Sequence, residues 1–353
     1  MIKNIFQKRK WKRRELILFL ERLELYISSG LPLDMCLQIS SDGVTKRQKK
    51  IVLDIRSAVL LGSQLSKAMV VNMNLSNTIA GLIRHGETSG QLGKALVYAK
   101  ELLEREEDLI KKCISALIYP TVIGIFAIIL TFALVKGVMP QIIPMLRSLN
   151  VQLLLITRII MFISENLMKY SIHLIVFGIL STVGLLILYK KVETFRNKCQ
   201  SFISRLPIIG RLINLYYISL FTQSLGSLIE SGTSLTIAYS NTVSSLSFAP
   251  IKLLCKKQED NVKNGYSLGL VFAKIHRLPP YIAPLISAGE MAGTLGNSLI
   301  RTAKIADSDL EYSLKKITSL IEPVMMAGMG LVVGAIALSI VLPIYDVSKV
   351  LQQ

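Results

Sequence analysis

The chain has 353 residues, is 51% apolar and has a mean hydropathy of +0.50, too high for an ordinary soluble domain and in the range of proteins with membrane segments. Its net charge of +18 calls for an anionic partner such as a lipid surface or acidic protein faces. Four cysteines (Cys36, Cys113, Cys199 and Cys255) form no C-x-x-C pair and have no nearby His, which excludes a zinc site or a disulfide framework.

Residues 1–14 are a basic segment, with Lys8-Arg9-Lys10-Trp11-Lys12-Arg13-Arg14 at its centre. No apolar core follows it, so it is not a cleavable signal peptide. Such a run suits anionic lipid or an acidic protein surface; the alternative is nucleic acid stacked on Trp11. Residues 15–112 then read as helices. Leu16, Phe19, Leu20, Leu23 and Ile27 recur at spacings of three and four, one face of a helix. Gly30 ends that helix in a left-handed turn, and Pro32 suits the first turn of the next. A later helix follows Gly90, with Leu92, Leu96, Ala99 and Leu103 as its apolar stripe. No alternating strand pattern appears.

Uncharged runs of 23, 20 and 23 residues lie between Lys112 and Lys136, Lys169 and Lys190, and Glu322 and Asp346. Each is long enough for a membrane helix, which needs about 20 residues. The spans are assigned to 113–139, 170–189 and 320–345. Residues 1–113 carry 20 Lys/Arg against 12 Asp/Glu, and residues 190–319 carry 16 against 8. Both basic blocks are therefore expected in the cytoplasm. The loop 140–169, whose stretch VQLLLITRIIMFI suits an interfacial helix, and the tail 346–353 are expected outside. His173 is the only ionisable group in the spans with a pKa near neutral, which does not favour an ion pathway.

The chain also repeats itself. FLERLELYISSGLPL (19–33) matches FTQSLGSLIESGTSL (221–235) at an offset of 202. IAGLIRHGETSGQLGKAL (79–96) matches IAPLISAGEMAGTLGNSL (282–299) at an offset of 203, with ten of 18 positions identical. The offset continues into the membrane, where Pro120 and Pro140 match Pro323 and Pro343. These prolines are expected at helix starts and kinks. One unit is a cytoplasmic domain followed by a span, and the span 170–189 returns the chain so that the second unit, 190–319, has the same orientation. The expected fold is an all-α membrane protein with two homologous cytoplasmic antiparallel bundles of about six helices each and three transmembrane helices.

The doubled G-E-x-x-G-x-L-G-x-x-L, the S-G ending a helix in each copy, and a last span opening I-E-P and closing near L-P-I resemble one family: the polytopic inner-membrane platform proteins of type II secretion systems and type IV pili. The likeness covers roughly residues 15–350, and the short form is similar to type IVb and competence-pilus platforms. It implies a non-enzymatic protein of the bacterial inner membrane with an external C-terminus. It also implies a homodimer or higher homo-oligomer, a cytoplasmic hexameric assembly ATPase, pilin or pseudopilin subunits, and other inner-membrane assembly proteins as partners. Membrane lipids are partners as well; nucleic acid is not. A small-solute transporter or channel subunit is the alternative.

No catalytic, cofactor-binding or metal residue is assigned. Arg84-His85-Gly86-Glu87 has the opening of a histidine phosphatase site, but the second copy reads Ser287-Ala288-Gly289-Glu290 and keeps only Gly-Glu. His85 is thus expected to be incidental. Gly90-Gln-Leu-Gly93-Lys94-Ala95 lacks the spacing and hydroxyl of a phosphate-binding loop. Glu87 and Glu290 are expected to accept backbone N–H bonds at the start of the following helix, or else to contact a partner. Gly90 and Gly293 would make turns. Gly93 and Gly296 would let helices approach, beside Gly86 and Gly289, and Gly30 and Gly232 would end helices. Glu322 either snorkels near Lys315 and Lys316 or guides a pilin's N-terminal segment.

Overall fold

The structure, a computed structural model, describes residues 11–73, 75–137, 180–181, 184–185, 187–189, 191–275 and 278–350. Every regular element among the described residues is a helix. The expected loop 140–169, Pro140, His173 and His276 lie outside them, as does most of the expected span 170–189.

The first repeat contributes α1 (Arg13–Ser28), α2 (Leu33–Ser40), α3 (Lys46–Leu60), α4 (Leu65–Met73), α5 (Asn77–Ser89) and α6 (Leu92–Gly137). The second contributes α7 (Glu193–Arg205), α8 (Ile209–Glu230), α9 (Leu235–Ser245), α10 (Ala249–Lys256), α11 (Glu259–Lys263), α12 (Leu268–Ala273), α13 (Ile282–Met291) and α14 (Leu295–Val350). By the repeat offset, α8, α9, α12, α13 and α14 answer to α1, α2, α4, α5 and α6. The pair α10 and α11 answers to α3.

The chain divides into two compact units: Met1–Lys112 with Asn197–Tyr312, and Cys113–Arg196 with Ser313–Gln353. Within the first unit the two repeats share one core. On α1, Leu16, Phe19, Leu20 and Leu23 are buried, and on α8 Phe221, Leu225 and Leu228 answer them. Leu96, Ala99 and Leu103 are buried on α6. Local signals set the helix ends. Thr45 and Gln48 form a capping box at the start of α3, with the Thr45 N–H donating to Gln48 Oε1 at 3.0 Å. Gly30 has φ +80, and the N–H groups of Gly30 and Leu31 donate to the Ile27 and Tyr26 carbonyls, a Schellman stop; Gly232 repeats it at φ +94. Pro32 sits just before α2 rather than in its first turn.

The cysteines are free thiols, and burial pushes the Cys255 thiol up to about 12 and the Cys36 thiol above its ordinary value. Both are therefore poor nucleophiles and poor ligands at neutral pH.

Trp11 does not offer a face to nucleic acid. Its ring packs edge-on against Phe19, with centroids 5.3 Å apart. Arg13, in the same basic run, faces the Glu106 carboxylate at 3.4 Å.

Among the described residues, two helices are long and apolar enough to cross a membrane. The segment Leu92–Ala133 has a mean hydropathy of 2.4 over its most apolar stretch, none of which is buried. Ile114, Ile118, Val122, Ile125 and Ile129 are exposed there, as lipid-facing side chains would be. Ile209–Glu230 passes the same test, but 67% of its apolar stretch is buried in the first unit, so it is a core helix.

Of the two places expected for the prolines, helix starts and kinks, the structure leaves only the helix interior. Pro120 lies inside α6, and Pro323 and Pro343 lie inside α14, so none starts a helix. Proline removes one backbone donor and frees the carbonyl four residues earlier. For Pro120 that carbonyl belongs to Ala116, and the Thr318 hydroxyl donates to it at 3.3 Å. A helix in lipid tolerates proline when a neighbouring hydroxyl takes up the freed group in this way. The tail expected from residue 346 is helical as far as Val350.

Within the first unit, Arg105 on α6 reaches Gln223 and Asp307, and the Ser219 hydroxyl also donates to Asp307. The Arg105 and Asp307 side chains are only 16% and 15% exposed, so removing one charge strands the other in a poorly solvated place. Arg105→Leu should destabilise the unit by about 3 kcal/mol, and Asp307→Leu added to it should restore more than half of that loss. Denaturant titration of the three variants in detergent measures the coupling. Additive losses would contradict it.

Candidate functional site

The Gly-Glu-x-x-Gly-x-Leu-Gly motif folds the same way in both repeats. Glu87 lies in the last turn of α5, where the helix dipole disfavours a carboxylate. Its compensation comes from another helix. Glu87 Oε1 accepts the Leu65 N–H at 2.6 Å, and Oε2 accepts the Ser66 N–H at 3.3 Å and the Ser66 hydroxyl at 3.2 Å. Leu65 and Ser66 open α4, whose first N–H groups have no partner within their own helix. Glu290 on α13 repeats the clamp at α12. It accepts the Leu268 N–H at 2.9 Å, the Gly269 N–H at 3.2 Å and the Ser267 hydroxyl at 2.6 Å.

The expectation that these carboxylates cap the following helix is therefore corrected: they cap one that precedes them. The reason is the geometry of the turn. Gly90 (φ +71) and Gly293 (φ +70) stop α5 and α13 in the left-handed region, and the next helix turns away. Sequence reasoning also missed the hydroxyls, Ser66 and Ser267, because they stand more than 20 residues before the carboxylates and two positions apart in the repeat.

The close helix approach expected at Gly93 and Gly296 is found at Gly296, and Gly86 and Gly289 add a tighter one in each repeat. A Cβ at Gly86 would overlap Ala95 at the start of α6, and one at Gly289 would overlap Ser298 at the start of α14. At Gly93 an added Cβ would meet only the Ser28 hydroxyl at 3.2 Å, whereas at Gly296 it would lie 2.5 Å from Glu230. The motif thus gathers three helix ends: the start of α4, the end of α5 and the start of α6, with the same set in the second repeat.

Electrostatics follow the bonds. Burial alone would raise the Glu290 carboxyl, but the hydrogen bonds from Ser267, Leu268 and Gly269 together outweigh it and hold the group below the ordinary carboxylate range. Nothing in this arrangement performs chemistry. Both carboxylate oxygens are occupied by donors, and no group of His, Cys, Asp and Glu among the described residues could hold a metal ion.

His85 packs against the other repeat. It lies over the left-handed turn of the other repeat, where a Cβ on Gly232 would be 2.8 Å from its Nε2. Around it, Asn77 Nδ2 donates to Ser244 Oγ at 2.9 Å, and the Thr78 N–H donates to Ser245 Oγ at 2.8 Å. Asn241 and Leu228 press on Gly81. These residues join α5 of the first repeat to α8 and α9 of the second.

Glu322 does not stand alone at its position in the second unit. The Tyr119 hydroxyl donates to Glu322 Oε1 at 3.1 Å, and the two residues occupy equivalent repeat positions.

Comparison with known proteins gives one family. The model of the type II secretion system (T2SS), protein F, matches residues 19–140 and again 221–343. The type IV pilus assembly protein PilC of Thermus thermophilus is 26% identical over 339 residues, covering 95% of this chain and 82% of that protein. The type II secretion system protein F of Xanthomonas campestris pv. campestris is 27% identical over 352 residues, 99% and 86% of the two chains. PilC of Pseudomonas aeruginosa is 24% identical over 346 residues, 97% and 92%.

The clamp has a pH signature. The folded Glu290 carboxyl sits lower than it would in the unfolded chain. Its stabilisation is therefore present above the unfolded value, about pH 4.3, and lost as pH falls through the folded value. Glu290→Gln should lower the melting temperature of the detergent-solubilised protein near neutral pH, and the two melting curves should converge as pH falls through the folded value. A gap that stays constant with pH would contradict the clamp.

Proposed function

The chain belongs to the type II secretion system protein F family, and from that premise we propose that it is the inner-membrane platform of a type IV pilus or type II secretion pseudopilus assembly machine. The observation that carries this reading is that the family model matches twice, once on each internal repeat, with a span-length apolar segment following the first. It is a structural component and not an enzyme.

In this reading residues 15–112 and 190–319 are helical domains on the cytoplasmic side. Helices at 113–139, 170–189 and 320–345 cross the membrane, and the C-terminus lies outside. The excess of Lys and Arg in both blocks supports that orientation. Lys8 to Arg14 lie at the lipid surface. A separate hexameric ATPase works on the cytoplasmic domains, which carry no phosphate-binding loop of their own. Its movement lifts pilin or pseudopilin subunits out of the bilayer, with other inner-membrane assembly proteins around a platform built of more than one copy.

Glu87 and Glu290 serve this platform as internal fasteners, since their oxygens are spent on α4 and α12. Glu322, bonded through one oxygen to Tyr119, offers an acidic group at the membrane edge to the N-terminal segment of a pilin.

Deleting the gene in its own host should abolish surface fibres or pseudopilus-dependent secretion while pilin and ATPase levels stay normal, and a plasmid copy should restore them. Glu322→Gln should restore fewer fibres than the parent at equal platform abundance. Fibre assembly that continues without the chain would overturn the platform reading.

A further inference from the structure

The contact between the repeats uses two different faces. The first repeat offers one face of α5, and the second offers a face of α8 and α9. Each repeat carries both faces by homology, so one of each is left over. The second repeat has an α5-like face on α13, and the first has an α9-like face on α1 and α2. Among the described residues, α13 makes no comparable pairing with α1 or α2.

Burial follows the same division. Ala80, Gly81 and Leu82 on α5 are buried. Their equivalents Ala283 and Leu285 are only half-buried, and Pro284 is exposed. Ala288, the equivalent of His85, is exposed too. On the other side, Ser227 of α8 is 2% exposed, whereas its equivalent Leu25 is 59% exposed. Ile39 of α2 is 38% exposed, whereas its equivalent Asn241 on α9 is half-buried. A cavity of about 440 Å³ opens on the bare α13 face, walled by Leu270, Phe272, Pro280, Ala283, Pro284 and Ser287.

We propose that a second copy of this chain seats its free α1–α2 face on the free α13 face, repeating between molecules the contact that joins α5 to α9 within one. Residue exchange at the matched positions fits this occupant. Within the chain, Asn77 meets Ser244 in a polar pair, and the Asn241 amide lies against Gly81. At the free faces the second of these becomes apolar on both sides, with Pro284 in place of Gly81 and Ile39 in place of Asn241. His85 over Gly232 becomes the smaller Ala288 over Gly30. Exposed Leu31, Met35 and Ile39 supply the apolar side chains that a cavity walled by Phe272, Pro280 and Pro284 accepts. The contact is heterologous, with different surfaces on its two sides, so repeats alternate first, second, first, second through the assembly.

The inference rests on the platform reading only in needing more than one copy, and its test does not depend on fibres forming. Asp42 and Pro280, the equivalents of Ser244 and Asn77, are both exposed. Asp42→Cys and Pro280→Cys are placed on two differently tagged full-length chains carrying Cys113→Ser and Cys199→Ser, co-expressed and oxidised in native membranes. Asn77→Cys with Ser244→Cys in one chain is the positive control, since those side chains are 2.9 Å apart. The expected product is a disulfide dimer carrying both tags, formed when the two variants are combined and absent when either is expressed alone. Ile39→Cys combined with Pro284→Cys should behave in the same way. A bond between two Asp42→Cys chains, or none in either combination while the control closes, would overturn the proposal. In the second case the face belongs to lipid or another protein.

Discussion

A carboxylate placed where its own helix disfavours it organises each repeat. Glu87 and Glu290 sit at the ends of α5 and α13, near carbonyl groups that repel a negative charge. The start of a neighbouring helix reverses that balance, because it presents unpaired N–H groups and a positive dipole end. Two N–H groups and a hydroxyl then bind each carboxylate. This fixes the end of the fifth helix on the start of the fourth. The left-handed glycine three residues later sets the direction of the sixth, and Gly86 or Gly289 sets how closely that helix returns. The long helices α6 and α14, which carry the apolar segments, leave from this corner.

Duplication gave the chain two such corners, and divergence then made their surroundings unequal. In the second unit the long helices meet at equivalent positions, Tyr119 with Glu322, as related elements do when they stand side by side in register. In the first unit the contact runs between unlike faces, with His85 and Asn77 on one side and Gly232 and Ser244 on the other.

Much of the fold was legible in the sequence, for a physical reason. Helix periodicity and glycine stops are local properties, and α1, Gly30, Gly90 and the buried stripe of α6 fall where those rules put them. The repeat showed which part of the motif matters, since Glu survives in both copies while His does not. Long-range partners were not legible. Nothing in the spacing ties Glu87 to Leu65 and Ser66, because α4 begins without a strong cap of its own and borrows one across 21 residues. The contact of His85 with the turn at Gly232 in the other repeat is another pairing that spacing does not show. Nor did spacing show that Thr318 of the other repeat satisfies the carbonyl that Pro120 frees.

The central claim is that the Glu87 and Glu290 carboxylates hold the first amides of α4 and α12. Backbone hydrogen exchange at Leu65, Ser66, Leu268 and Gly269 in the full-length protein reads that contact directly. These four amides should be protected in the parent. Glu87→Ala should speed exchange at Leu65 and Ser66 by at least about tenfold, the scale set by losing roughly 1.4 kcal/mol of local hydrogen bonding, while Leu268 and Gly269 stay slow. Unchanged exchange at Leu65 and Ser66 in Glu87→Ala would contradict the account.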